Sequence, residues 1–169
     1  MPTPNRPIPL AKSPRSQIWE KVLATLQASG TPLARFVRTF RALEGSVNDL
    51  AEGPLGAPSN LTEELMPWLR VSLVGTHAEW LAELQHKSSM IFVFELALPG
   101  TRITDLLDYW TAIEQQLFPG DNALLNALIP FGVFSKTIRD PAVTPRLIGS
   151  NSHALYAIGQ IAFNHTIKS

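Results

Sequence analysis

The stretch Met90–Leu98 reads Met-Ile-Phe-Val-Phe-Glu-Leu-Ala-Leu, and it carries the strongest structural signal in the sequence. Branched and aromatic side chains dominate it, which is typical of a β-strand buried in a sheet. Pro99 and Gly100 follow directly and end the run. The same reasoning predicts three further strands, at 68–74, 143–148 and 155–163.

Helical periodicity occupies the segments before and between these strands. At 15–29 the apolar residues recur three and four positions apart, as on one face of an α-helix. Thr31 and Pro32 begin a second helix, because threonine suits the N-cap and proline the first helical position. The predicted helices lie at 15–29, 32–43, 103–118 and 121–129. Helices and strands that are grouped in this way indicate an α+β fold around an antiparallel sheet, rather than alternating βαβ units.

Length and composition favour one folded domain. The chain has 169 residues, of which 45% are hydrophobic and 17% charged, which excludes a disordered chain and a solvated coiled coil. The prolines of residues 1–14 predict an irregular arm, followed by a single domain over 15–169. Basic and acidic residues number 14 each, and this balance argues against a nucleic-acid partner.

Cysteine is absent, so disulfides, iron–sulfur clusters and thiol nucleophiles are excluded. The first ten residues lack the apolar run of a secretory signal, and no segment approaches the roughly 18 apolar residues that span a bilayer. We therefore expect a cytoplasmic protein without a transmembrane segment, and a monomer is the favoured state.

Motifs that bind metals or cofactors are also absent. No phosphate-binding loop, dinucleotide-binding glycine motif or nucleophile elbow occurs, so no cofactor is expected. Asp105 and Asp108 share a predicted helix face, which we interpret as solvated. No metal site is expected either, because none of the four histidines occurs at the spacing of a metal-binding motif. They are His77, His86, His153 and His165.

Arg70 is the main candidate functional residue, since it interrupts the otherwise apolar run from Trp68 to Val74. A guanidinium among apolar neighbours needs an anionic partner, because an unpaired buried charge is costly. The partner could be a protein carboxylate, such as Glu79 or Glu95, or a ligand carboxylate that the planar guanidinium binds with two hydrogen bonds. A third alternative is an arginine on the solvent face of the sheet.

Several short segments resemble, in the same order along the chain, segments of bacterial chorismate–pyruvate lyases. They are Leu-Glu-Gly-Ser-Val at 43–47, Trp-Leu-Arg-Val-Ser-Leu at 68–73, Gly-Thr-His-Ala-Glu-Trp at 75–80, Leu-Ala-Leu-Pro at 96–99, Pro-Phe-Gly-Val-Phe at 130–134, Asp-Pro-Ala-Val-Thr-Pro-Arg at 140–146 and the run 155–163. The chain departs from the family in lacking the proline of the turn before Trp80 and in having more residues between Trp80 and Pro99. Ile158, Gly159 and Gln160 replace a pair of arginines, and no residue matches the glutamate of the family's final strand.

The resemblance implies an α+β chorismate-lyase-like fold and a carbon–oxygen lyase that converts chorismate to 4-hydroxybenzoate and pyruvate, for ubiquinone precursor synthesis, without a cofactor. It implies that Arg70 is the catalytic residue and binds the ring carboxylate. Phe131 and Gly132 would line the substrate pocket through their backbone, and Val47 would form an apolar wall. The missing glutamate would make the enzyme weak or inactive. The alternative is a non-catalytic binding or sensor domain of the same fold for an aromatic carboxylate.

Overall fold

A computed structural model describes residues 10–42, 62–82, 85–148 and 152–168. These residues form one mixed α+β domain, as the sequence predicts. Its elements are α1 (Pro14–Leu26), α2 (Pro32–Phe36), β1 (Thr39–Ala42), β2 (Trp68–Ala82), β3 (Gln85–Pro99), α3 (Ile103–Leu117), α4 (Ala123–Leu128), β4 (Val133–Ile148) and β5 (Ser152–Lys168), with single 3-10 turns at Glu63–Leu65 and Ile129–Phe131. In the described part of the chain, no helix is long and apolar enough to cross a membrane.

The five strands form one open sheet in the order β1-β2-β3-β5-β4. The pairs β2–β3, β3–β5 and β4–β5 are antiparallel, which confirms the predicted antiparallel sheet for these four strands. The short β1 differs, because it runs parallel to β2. Strand β3 is therefore the middle strand of the sheet, with β2 and β5 on either side of it.

The helices pack against one face of the sheet, which we call the helix side, and aromatic rings form much of the core there. Trp19 of α1 stacks on Phe92 of β3 with ring centroids 5.5 Å apart. Trp110 of α3 meets Phe94 edge to face at 5.8 Å, and Phe92 meets Phe163 of β5 at 5.4 Å. Such contacts add to the stabilisation that burial of the rings provides.

The opposite face, which we call the second face, carries Trp68 and Arg70 of β2, Glu95 and Ala97 of β3, and Tyr156 of β5. All five side chains are buried, the most exposed at 3%. Strand β3 is thus buried on both faces, and this explains why residues 90–98 read as a nearly continuous apolar run rather than an alternating one.

The predicted helix at 32–43 is wrong beyond Phe36, because residues 39–42 form β1. Val37 already takes an extended backbone, with φ −73° and ψ 119°. The backbone N–H groups of Arg38 and Thr39 both donate to the Pro67 carbonyl, at 2.8 and 3.2 Å, so this segment lies alongside the start of β2. Pairing with a distant strand here overrides the local helical spacing.

All four predicted strands are longer in the structure, and β2 and β4 extend well beyond one predicted end. Strand β2 continues beyond the predicted end at residue 74 as far as Ala82, and its pairing with β3 shifts between Leu73 and Gly75, as at a β-bulge. Strand β4 begins at Val133 instead of residue 143 and continues past Pro141, which sits at a second register shift. Proline is tolerated there because β4 is an edge strand.

Helix termini follow the local sequence signals closely. Thr31 is the N-cap of α2, as predicted, and its hydroxyl accepts from the Ala34 N–H. Helix α1 includes Pro14, which the prediction placed in the arm, and Ser13 caps it; residues 1–9 of that arm lie outside the described residues. Asp121 accepts from the Ala123 N–H, although Asn122 occupies the N-cap of α4.

Gly159 of β5 lets α3 approach the sheet closely. A Cβ at this position would lie 2.6 Å from the indole ring of Trp110. Real side chains do not come this close, so the ring or the helix would have to move. The absence of a side chain at residue 159 is therefore a packing requirement of the helix side.

We expect Gly159→Ala to lower the free energy of unfolding by about 1–3 kcal/mol, the usual cost of overpacking a filled core. Gly120→Ala is the matched control, because a Cβ there would meet no atom within 4 Å. Its effect should stay within roughly 0.5 kcal/mol. Urea denaturation of both variants measures the difference, and equal stabilities would contradict the packing argument.

Candidate ligand site on the second face

Arg70 lies on the second face with none of its side chain exposed. In the β2–β3 ladder it stands directly opposite Glu95. Its Nη2 donates to Glu95 Oε1 at 2.8 Å and its Nε donates to Glu95 Oε2, so the pair is joined by two hydrogen bonds. Of the protein carboxylates considered from the sequence, Glu95 is therefore the one that pairs with Arg70, whereas Glu79 lies nine residues further along β2.

Glu95 also binds a third donor. The hydroxyl of Tyr156, from the neighbouring strand β5, donates to Glu95 Oε1 at 2.6 Å. On the other side of the ion pair, the guanidinium carbon of Arg70 lies 5.2 Å from the centre of the Trp68 ring. These four residues, Trp68, Arg70, Glu95 and Tyr156, form what we call the Arg70 cluster.

The Arg70 cluster depends on the ion pair, because neither Arg70 nor Glu95 could be buried in its charged form without the other. Moving an ion from water into the protein interior costs several kcal/mol, and only a well-oriented opposite charge offsets this cost. Arg70 and Glu95 are each completely buried, and their geometry satisfies both carboxylate oxygens. The cluster is therefore rigid and strongly dependent on both members.

A second arginine stands beside the cluster. Arg41 of β1 pairs in register with Arg70, so the two residues are neighbours on the same face of the sheet. Phe40 and Ala42, which flank Arg41, pack against the helix-side core, as the alternation of a strand requires. The row across the sheet thus runs from Arg41 to Arg70 to Glu95.

The other predicted site residues are not brought to this cluster. Val47 lies outside the described residues. Phe131 packs against the helix-side core, and Gly132 precedes Val133, which pairs with His165 near the far end of β5. From that level to the level of Glu95 the distance is roughly 20 Å along the strand, at about 3.3 Å per residue.

Gly132 has a structural reason to be glycine. Its φ is +85°, in the left-handed region that disfavours other residues. A Cβ there would collide with the backbone carbonyl oxygen of Thr166 in β5. The Thr166 N–H donates to the Gly132 carbonyl at 3.0 Å. The close packing of β5 against residue 132 therefore accounts for a glycine at this position.

Open clefts lie among the helices, on the opposite side of the sheet from the Arg70 cluster. Two open clefts of about 380 and 410 Å³ border α3 on the helix side, the second lined partly by Asp105 and Asp108. Nowhere in the ranges that the structure describes do three His, Asp or Glu side chains meet as a metal site would require.

Glu114 of α3 and Lys136 of β4 both have pKa values that the fold shifts from their ordinary values. Burial raises the pKa of Glu114, and the negative charge of Asp140 raises it further. Burial lowers the pKa of Lys136, while Glu114 opposes this change. The Lys136 ammonium also lies 3.3 Å from the centre of the Phe118 ring. These groups lie on the helix side and do not touch the Arg70 cluster.

Two members of the cluster could be anticipated from the sequence to different degrees. Glu95 is conspicuous as a charge inside an apolar strand, and it was one of two predicted partners for Arg70. Tyr156 gave no such signal, because tyrosine is common in strands. Only the alignment of β5 beside β3 brings its hydroxyl to Glu95.

Neither protein-family models nor curated proteins match this chain. The resemblance to chorismate–pyruvate lyases therefore remains a prediction that rests on the short segments described above.

We expect the single variants Arg70→Met and Glu95→Leu each to lose about 3–5 kcal/mol of unfolding free energy, because each leaves a buried charge unpaired. The double variant should lose much less, since apolar side chains can replace a buried pair at little cost. Urea denaturation of the three proteins measures the coupling.

Lys12→Met serves as the control for this cycle, because its ion pair with Glu20 is solvent-exposed, with side chains 65% and 52% accessible. Its effect should be at most about 1 kcal/mol. Additive losses in the Arg70 and Glu95 double variant would contradict the description of the pair as the central contact of the cluster.

Glu114→Gln should raise the melting temperature at pH 7. Folding raises the pKa of Glu114, so the folded state is destabilised at pH values where the carboxyl group is ionised. At pH values below the unfolded-state pKa the group is protonated in both states, and this destabilisation disappears. The advantage of the variant should therefore shrink as the pH falls towards the ordinary value of 4.5. Thermal denaturation across this range tests it, and a constant difference at all pH values would contradict the assignment.

Proposed function

We propose that this protein is a chorismate-lyase-like protein, which binds a small aromatic carboxylate on the second face of the sheet and converts chorismate to 4-hydroxybenzoate and pyruvate. The order of the resembling segments along the chain supports this proposal. The proposed reaction needs no cofactor.

The observation that carries the proposal is the complete burial of the Arg70 guanidinium on a sheet face that also presents an indole and a phenol. A planar guanidinium suits a carboxylate, and aromatic neighbours such as Trp68 suit a flat ring. Small-ligand sites combine apolar walls with a few such polar anchors.

The proposed reaction asks little of the protein in covalent terms. The bond between the ring and the enolpyruvyl oxygen breaks, and its electron pair leaves with that oxygen. The ring loses a proton, and the electrons of that C–H bond complete the aromatic ring. The released enolpyruvate takes up a proton and becomes pyruvate. Formation of an aromatic ring drives this elimination. The protein would supply positioning and electrostatic stabilisation, which need a preorganised charged group such as Arg70 rather than a nucleophile.

A second candidate function is favoured by the Arg70–Glu95 pair itself. Because Glu95 takes two hydrogen bonds from Arg70, the pair as a whole is neutral. Its charge is already compensated, so it stabilises the negative charge that develops on the leaving oxygen during the reaction less than a lone arginine would. This arrangement favours a binding domain that holds an aromatic carboxylate without turning it over.

One experiment separates the two functions. The purified chain is incubated with chorismate, 4-hydroxybenzoate and pyruvate are measured by chromatography, and 4-hydroxybenzoate binding is measured by calorimetry. A lyase gives both products in equal amounts above the uncatalysed rate. A binding domain gives binding heat without products, and the absence of both contradicts the proposal.

Arg70→Lys should weaken 4-hydroxybenzoate binding by roughly tenfold and leave phenol binding nearly unchanged. Lysine keeps the charge, but it lacks the planar set of five N–H donors with which a guanidinium can contact Glu95 and a ligand carboxylate together. Arg70→Ala, with an expected loss of roughly 10- to 100-fold from a charged hydrogen bond, also removes the partner of Glu95 and so confounds binding with stability. Arg35→Lys, at an exposed position of α2, is the control. Equal losses for 4-hydroxybenzoate and phenol would make Arg70 purely structural.

A further inference from the structure

Ser72 lies on the second face two residues after Arg70, since alternate residues of β2 point to the same side of the sheet. Only 1% of it is exposed. None of the residues that the structure describes is a hydrogen-bond partner of its hydroxyl oxygen. The residue directly across the ladder is Val93, which is also fully buried and offers no polar group.

An unsatisfied buried hydroxyl is unusual, because nearly all buried polar groups in folded proteins have a partner. The neighbouring polar groups of the Arg70 cluster follow that rule, for Glu95 accepts from both Arg70 and Tyr156. On the helix side, Ser88 is equally buried and accepts from Arg15 at 3.1 Å. Ser72 therefore differs from its polar neighbours on the second face, and a bound molecule would supply the contact that the described residues do not.

The spacing between Arg70 and Ser72 indicates which part of a ligand Ser72 would contact. Two strand residues span roughly 6–7 Å, and this is close to the length of a para-substituted benzene ring. A ring that lies along β2 with its carboxylate at Arg70 would bring its para oxygen near the Ser72 hydroxyl.

We propose that Ser72 Oγ is the hydrogen-bond partner of the para oxygen of an aromatic carboxylate bound at Arg70, and so selects 4-hydroxybenzoate over benzoate. This inference rests on the proposed function. It assigns to Ser72 a specificity-determining contact and involves no covalent step.

Ser72→Ala tests the assignment, with 4-hydroxybenzoate and benzoate as calorimetric probes. The variant should bind 4-hydroxybenzoate roughly three- to tenfold more weakly, the effect of one neutral hydrogen bond, and bind benzoate unchanged. Its ligand-free melting temperature should equal or exceed that of the wild type, because the substitution removes an unsatisfied polar group.

Ser88→Ala is the matched control. It should lower the melting temperature, because it removes the partner of Arg15, and leave 4-hydroxybenzoate affinity unchanged. Thermal denaturation without ligand is recorded for both variants, so that an effect on folding is separated from an effect on binding.

The outcomes distinguish this inference from the proposed function. If the wild type binds neither probe, the proposed function fails and this assignment with it. If the wild type binds both but Ser72→Ala leaves the affinities unchanged, or lowers them equally, only the assignment of Ser72 is overturned. A lower melting temperature of Ser72→Ala would also overturn it, because the hydroxyl would then be satisfied within the folded chain.

Discussion

The buried ion pair between Arg70 and Glu95 is the contact on which the alignment of the sheet depends. Side chains alternate between the faces of a strand, so a slip of one residue between β2 and β3 would turn one of the two charges towards the apolar helix side. An unpaired charge there would be far more costly than any exchange of one apolar neighbour for another. The pair therefore selects one register among strands whose apolar residues are otherwise similar.

The two faces of the sheet consequently have different chemistry. The helix side is a packed aromatic core, in which Gly159 of β5 admits the Trp110 ring of α3 at close range. The second face carries the buried ion pair and the hydroxyls of Ser72 and Tyr156. Because these polar groups project from long, paired strands rather than from loops, their positions are rigid, which is what a specific ligand site requires.

The lyase proposal depends on this second face and not on every residue that the resemblance implied. Arg70 is interior, as a residue that binds a ring carboxylate would be. Phe131 and Gly132 instead belong to the helix side and to the far end of β5, where Gly132 is required by the backbone of Thr166. A ligand bound at Arg70 would therefore be recognised by residues of β2, β3 and β5.

The sequence by itself determined α1, α3 and the centre of β3. The spacing of apolar residues predicts the two helices, and the branched and aromatic side chains of residues 90–98 predict the strand. The sequence also singled out Arg70 as a charge among apolar residues, but the burial that makes an anionic partner necessary is seen only in the structure. Only the tertiary structure decided that Glu95 is that anion and that Tyr156 completes its hydrogen bonds. It likewise decided that residues 39–42 form a parallel strand. The physical reason is that these contacts join segments far apart in the chain, and their free energy depends on strand pairing that local spacing does not encode.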